Sequence, residues 1–183
     1  MNKKPAIALL AALLPTFTMA HNLAVGESLP SVSVADKGEI LVQDDKIAYQ
    51  EWSSSQLAGK VRIIQAIAGR SAAKAMNADL MAAITDADFP EGMYQTTTII
   101  NQDDAMWGTG GFVKSSAEDS KRDFSWSSMV LDGNGKVHGA WELTAENSAI
   151  IVLDKESNVL FVKEGKLTND EIQEALNLVK NNL

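Results

Sequence analysis

A layered α/β domain is the fold class this sequence predicts, and three observations predict it. Residues 61–68 form a nearly continuous apolar run, as expected of a central strand covered on both faces. Met76, Leu80 and Ile84 then recur every four residues, the stripe of a helix packed on that strand. Further along, a strand, two hairpin patterns and a last amphipathic helix follow, which is the order of a layered domain rather than of a bundle or sandwich.

The elements follow from local pattern. Val32 and Val34 alternate with serines, Asp36-Lys37-Gly38-Glu39 reads as a turn, and Ile40 and Val42 resume the alternation, which predicts an N-terminal hairpin. Residues 53–57 suit one helical turn stopped by Gly59. After Gly69-Arg70, Ser71 is placed to cap the helix that carries Met76, Leu80 and Ile84. Residues 94–100 are rich in β-branched side chains and predict a strand. It opens into Asn101-Gln102-Asp103-Asp104 and a loop holding Gly108, Gly110 and Gly111. Ser115-Ser116-Ala117-Glu118 carries a capping-box pattern for a short polar helix. Residues 128–131 and 136–141 flank Asp132-Gly133-Asn134-Gly135 and predict a hairpin, and residues 149–153 and 158–163 predict another. Thr168-Asn169-Asp170-Glu171 caps a final helix with Ile172, Ala175, Leu176 and Val179 on one face.

The first twenty residues read as an export leader. Lys3 and Lys4 form a basic start, residues 6–14 have no polar side chain, and Thr18-Met19-Ala20 offers a cleavage site before His21. Such a run is too short to span a bilayer, which takes ~20 apolar residues. The expectation is a leader over residues 1–20, one domain over residues 21–183, a periplasmic location and no membrane insertion after cleavage. With Lys3 and Lys4 removed, 14 basic residues face 24 acidic ones, a net charge of −10. That balance opposes nucleic-acid binding, which depends on Lys and Arg neutralising phosphates. The chain has no cysteine, so disulfides, thiol catalysis, iron–sulfur clusters and zinc–thiolate sites are excluded.

Leu57-Ala58-Gly59-Lys60-Val61, followed by an apolar strand and a helix start, resembles the entry to thioredoxin-like domains. In that alignment Ser71 and Lys74 take the two cysteine positions of the Cys-x-x-Cys motif, and Ser148 stands in place of the cis-proline before Asp154 and Lys155. Leu57-Ala58-Gly59-Lys60-Val61, Ala68-Gly69-Arg70-Ser71-Ala72-Ala73-Lys74, Gln95-Thr96-Thr97-Thr98-Ile99, Asp103-Asp104-Ala105 and Val152-Leu153-Asp154-Lys155 carry a closer resemblance. Through them the chain is similar to the YtfJ family of periplasmic proteins. The resemblance implies a thioredoxin-like three-layer α/β domain, a mixed central sheet flanked by helices. It implies no activity. Disulfide exchange needs a thiolate, so thiol–disulfide oxidoreductase chemistry is excluded whatever the fold.

Candidate sites gather where redox relatives hold their cysteines. Gly69, Arg70 and Ser71 begin a helix, whose free N–H groups and dipole favour an anion, with Arg70 as a bidentate clamp. Ser71 and Lys74 also fit S-x-x-K, the nucleophile spacing of some serine enzymes, without the partner motifs those enzymes carry. Asp103 and Asp104 follow a strand end, where α/β domains place ligands. Trp107 and Phe112 border the glycine loop and read either as a partner surface or as core. His21, first after cleavage, suits a copper site through its α-amine and imidazole, with His138 the one other histidine. Asp132-Gly133-Asn134-Gly135 lacks the downstream glutamate of a calcium loop and reads as a turn.

The reading is a non-catalytic binding module with no assigned cofactor or metal. Its expected ligand site comprises Gly69, Arg70, Ser71, Lys74, Asp103, Asp104 and Trp107, and its expected partner is a protein or a small anion. The alternative is a cysteine-independent enzyme using Ser71 and Lys74, or a metal held by His21.

Overall fold

The computed structural model describes residues 21–183. The leader assigned to residues 1–20 lies outside them. Seven strands form one mixed sheet: β1 (Ser33–Gln43), β2 (Lys46–Ser53), β3 (Val61–Ala68), β4 (Tyr94–Asn101), β5 (Ser128–Asp132), β6 (Ser148–Leu153) and β7 (Val159–Glu164). Their spatial order is β2-β1-β5-β4-β3-β6-β7. The β3–β4 and β4–β5 pairs are parallel and the others antiparallel. All eight residues of β3 are buried, as the nearly continuous apolar run predicts, with Arg62 and Gln65 buried among them.

Two faces of the sheet are covered. On one, α1 (Ser71–Met76), α2 (Ala78–Ala87), α3 (Gly110–Asp123) and α5 (Asn169–Asn182) pack on the sheet. Leu80, Ile84, Ile172, Leu176 and Val179 meet Val61, Ile63, Ile150 and Val152, while Ala73 and Ala117 meet Ile67, Ile100 and Leu131. On the other, α4 (Lys136–Ala140), the segment from Leu23 to Leu29 and a 3-10 turn at Ser54–Leu57 enclose Trp52 and Trp141 over Ile64, Ile99, Val130 and Ile151. On this face the Asn22 N–H donates to the Trp141 carbonyl at 3.3 Å.

Four local expectations are corrected. Asp36-Lys37-Gly38-Glu39 is no turn: β1 runs through it as an irregularity, and the hairpin reverses at Asp44 and Asp45, both left-handed (φ 48° and 62°) as a two-residue turn demands. Gly38 sits at φ +80° with the Gln50 carbonyl where a side chain would begin, so only glycine fits. Residues 136–141 form α4 rather than a strand. The Asp132 carboxylate accepts from the N–H groups of Lys136 and Val137 at 3.0 and 2.8 Å and starts a helix there. The polar helix begins at Gly110, so Ser115-Ser116-Ala117-Glu118 lies inside it. Finally, the helix after β3 is broken at buried Asn77, and its N-cap is Arg70, not Ser71, with no side-chain capping bond.

Two buried cations act as staples at the far end of the sheet. Arg62 donates through Nε to the Leu57 carbonyl at 2.6 Å and through its terminal nitrogens to Gln56 O, Gln95 Oε1 and Thr97 Oγ1. Lys121 Nζ donates to the carbonyls of Ser125 and Ser127 at 2.9 and 2.6 Å. Burial lowers the pKa of both, and the Glu39 carboxylate opposes that shift.

The capping box of α5 forms as expected. Glu171 accepts from the Thr168 N–H at 2.8 Å and pairs with Lys163 at 2.9 Å. The Thr168 N–H first, then Lys163, holds its carboxyl below the ordinary glutamate range. A depressed folded value contributes stability above the unfolded pKa of about 4.3, and that contribution is lost as pH falls through the folded value. Glu171→Gln should therefore be less stable than the parent at about pH 7, with the difference closing toward about pH 3, as urea unfolding at the two pH values will read.

Candidate functional site

The expected site residues come from three adjacent strand ends. Ala68 ends β3, Asn101 ends β4 and Asp132 ends β5, and the chain enters β6 beside them. Gly69 N–H donates to the Asn101 carbonyl at 2.8 Å, closing β3 against β4. A side chain at residue 69 would start 2.8 Å from that carbonyl oxygen. Gly69→Ala should thus destabilise the domain by about 1–3 kcal/mol, read by thermal or urea unfolding.

Arg70 does not present an open fork to a ligand. Its Nε donates to the Asp104 carbonyl and Oδ1 at 3.0 and 3.2 Å, and a terminal nitrogen pairs with Asp104 Oδ1 and Glu146 Oε1, each at 3.0 Å. The Asp104 side chain is only 11% exposed, and its other oxygen accepts from the Glu146 N–H. Two carboxylates of the chain thus occupy the guanidinium that the sequence offers to an external anion. The helix behind it, α1, is six residues long before it breaks at Asn77, so few peptide dipoles align there.

Ser71 and Lys74 are not brought together as a catalytic pair. Lys74 Nζ donates to Ser116 and Ser120 on α3 at 3.3 and 3.1 Å, and among the described residues the Ser71 hydroxyl makes no hydrogen bond. His21 Nδ1 accepts from the Leu23 N–H at 3.3 Å. His138 lies on α4 rather than in a strand, and its Nε2 is buried without a hydrogen-bond partner. Ser148 opens β6, where its hydroxyl accepts from Asn77 Nδ2 at 3.0 Å.

The loop after β4 is built by its own polar groups. Asn101 Oδ1 accepts from the N–H groups of Asp103 and Asp104 at 3.1 and 3.3 Å. Gln102 donates to the Asp132 carbonyl through its N–H and to the Gly110 carbonyl through Nε2, at 2.8 and 2.7 Å. The Thr109 hydroxyl donates to the Met106 carbonyl at 2.7 Å, and Gly108 takes a left-handed φ of +78°. This frame holds three apolar side chains in solvent: Trp107 is fully exposed at 101%, Phe112 is 78% exposed and Met106 is 61% exposed. Exposed Asp103 adjoins them.

Of the expected residues, the structure brings Gly69, Arg70, Asp103, Asp104 and Trp107 to one end of the sheet, with Ser71 beside Arg70 and Lys74 turned to α3. Sequence reasoning misses Glu146, Asn101 and Met106. Glu146 meets Asp104 across 42 positions, and no local pattern signals such a contact. Asn101, at a strand end before two aspartates, carries the signature of an Asx turn and was legible in principle.

Residues 23–182 match the family described as "Bacterial protein of unknown function (YtfJ_HI0045)". The chain is 44% identical over 180 residues to "Uncharacterized protein YtfJ" of Escherichia coli K12, covering 98% of each. It is 47% identical over 178 residues to an uncharacterized protein of Haemophilus influenzae, covering 97% of each. Among solved structures it resembles a DsbF homologue from Corynebacterium diphtheriae, with a TM-score of 0.56 at 15% identity over 90% of this chain and 96% of that one. It also resembles a thiol-disulfide isomerase from Corynebacterium glutamicum, with a TM-score of 0.54 at 14% identity over 86% of this chain and 96% of that one. These structural likenesses establish the thioredoxin-like fold, which this chain carries without a cysteine. By sequence, over nearly its whole length, the chain belongs to the YtfJ_HI0045 family.

Proposed function

We propose that this is an exported, non-catalytic binding protein of the periplasm that engages a protein partner through the loop between β4 and α3. The observation that carries the reading is the exposure of Met106, Trp107 and Phe112, three large apolar side chains within residues 106–112, on a loop fixed by hydrogen bonds at the strand ends. Large exposed apolar groups on a rigid support are the mark of an interaction surface, and tryptophan is prominent among residues that dominate binding energy. The neighbouring Arg70 serves as a strut between loops, which favours a protein partner over a small anion. Export is supported by the leader pattern of residues 1–20.

Two experiments test the two halves. Fractionation of cells making the full chain should recover it in the periplasmic fraction with His21 as its first residue; an uncut cytoplasmic product would defeat the export reading. Immobilised His21–Leu183 should retain a defined periplasmic protein that a Trp107→Ala, Phe112→Ala variant does not. Equal retention by parent and variant would defeat the docking surface.

A further inference from the structure

The loop that holds Trp107 is bordered by charged side chains. Asp103 stands in the same loop as Trp107, and Asp36 lies against Gly133 on the adjoining turn. Both are exposed, and among the described residues neither makes an ion pair. Glu146, 64% exposed, shares the single Arg70 guanidinium with Asp104. Lys37 and Lys136, on neighbouring segments, offset part of this charge, but residues 21–183 as a whole carry a net −10. The ring of Trp107 has both faces free, which suits a cation as well as an apolar group.

Resting on the docking reading above, we propose that the occupant of the Met106, Trp107 and Phe112 patch is a polypeptide segment that sets apolar side chains beside lysine or arginine. Its apolar groups would cover the patch, while its cations would meet Asp103, Asp36 and the Trp107 ring. Complementary charge of this kind sets partner choice and encounter rate. A second copy fits less well, because a two-fold contact through this patch would set Asp103 near its own equivalent. An anionic membrane is opposed by the same rim and by the net charge.

The test uses purified His21–Leu183 and two fluorescent peptides of the same apolar content, one flanked by lysines and the other by glutamates. Anisotropy at low salt should show the lysine peptide bound at least about tenfold more tightly, with the preference shrinking as salt is added. In Asp103→Lys with Asp36→Asn, the preference should fall toward unity or reverse. Equal binding of both peptides, lost in Trp107→Ala, would overturn the basic-partner inference and leave the docking surface standing. Lysine-peptide binding that Trp107→Ala leaves unchanged would overturn the docking surface itself. Binding of neither peptide, or self-association or capture of anionic phospholipid vesicles in their place, would overturn the inference.

Discussion

Replacing Asn77 by alanine should lower the unfolding free energy by about 3 kcal/mol. The side chain is 2% exposed and makes three hydrogen bonds. Its Nδ2 donates to Ser148 Oγ and to the Gly165 carbonyl, each at 3.0 Å, and its Oδ1 accepts from the Leu167 N–H at 2.9 Å. One amide thereby joins the break between α1 and α2 to the start of β6 and to the turn leading into α5. Alanine would leave the Leu167 N–H buried and unpaired, and each orphan of that kind costs about 1–3 kcal/mol. In a domain of this size the melting temperature should fall by roughly 6–12 °C. Urea unfolding followed by tryptophan fluorescence measures the effect directly; a loss under about 1 kcal/mol would contradict the staple.

The second large effect is on binding and leaves the fold alone. Trp107→Ala combined with Phe112→Ala should weaken partner binding by about thirtyfold to a thousandfold, the range of roughly 2–4 kcal/mol typical of aromatic anchors. Stability should stay within about 0.5 kcal/mol of the parent, because neither side chain is part of the packed interior. That split separates docking residues from structural ones. Asn77→Ala should do the reverse, lowering stability while the folded fraction retains its affinity. Calorimetric titration of a captured partner against both variants distinguishes the two roles.

Much of the architecture was legible in the sequence because burial imposes a period on it. The nearly continuous apolar run of β3, the hairpin of β6 and β7 and the capped stripe of α5 could each be read locally, and each forms. Two of the misreadings share one physical source, polar turn residues that serve two geometries. Asp132-Gly133-Asn134-Gly135 has the composition of a hairpin turn, yet the Asp132 carboxylate caps the N–H groups that follow and commits them to α4. Gly38 looked like a turn glycine and instead accommodates the close approach of β2 in an irregular stretch of β1.

The candidate site was legible as a place more than as a mechanism. The strand ends located Gly69, Arg70, Asp103, Asp104 and Trp107, and the fold gathers them. What the sequence left hidden was Arg70's engagement with Asp104 and Glu146, because a guanidinium at a helix start looks equally free whether or not a distant loop delivers a carboxylate. The exposure of Trp107 was hidden for a related reason. A lone aromatic between a methionine and a glycine has no periodicity from which burial can be inferred.

The most direct test of the central claim, that the cysteine-free end of this thioredoxin-like fold is a docking surface, is site-specific photocrosslinking in living cells. A benzophenone amino acid in place of Trp107 samples the patch, and the same group in place of Gln173, exposed on α5, samples an unrelated face. The account predicts a discrete crosslinked product from residue 107 that is absent from residue 173 and lost when Phe112→Ala is added. No product from residue 107, or the same product from both positions, would contradict it.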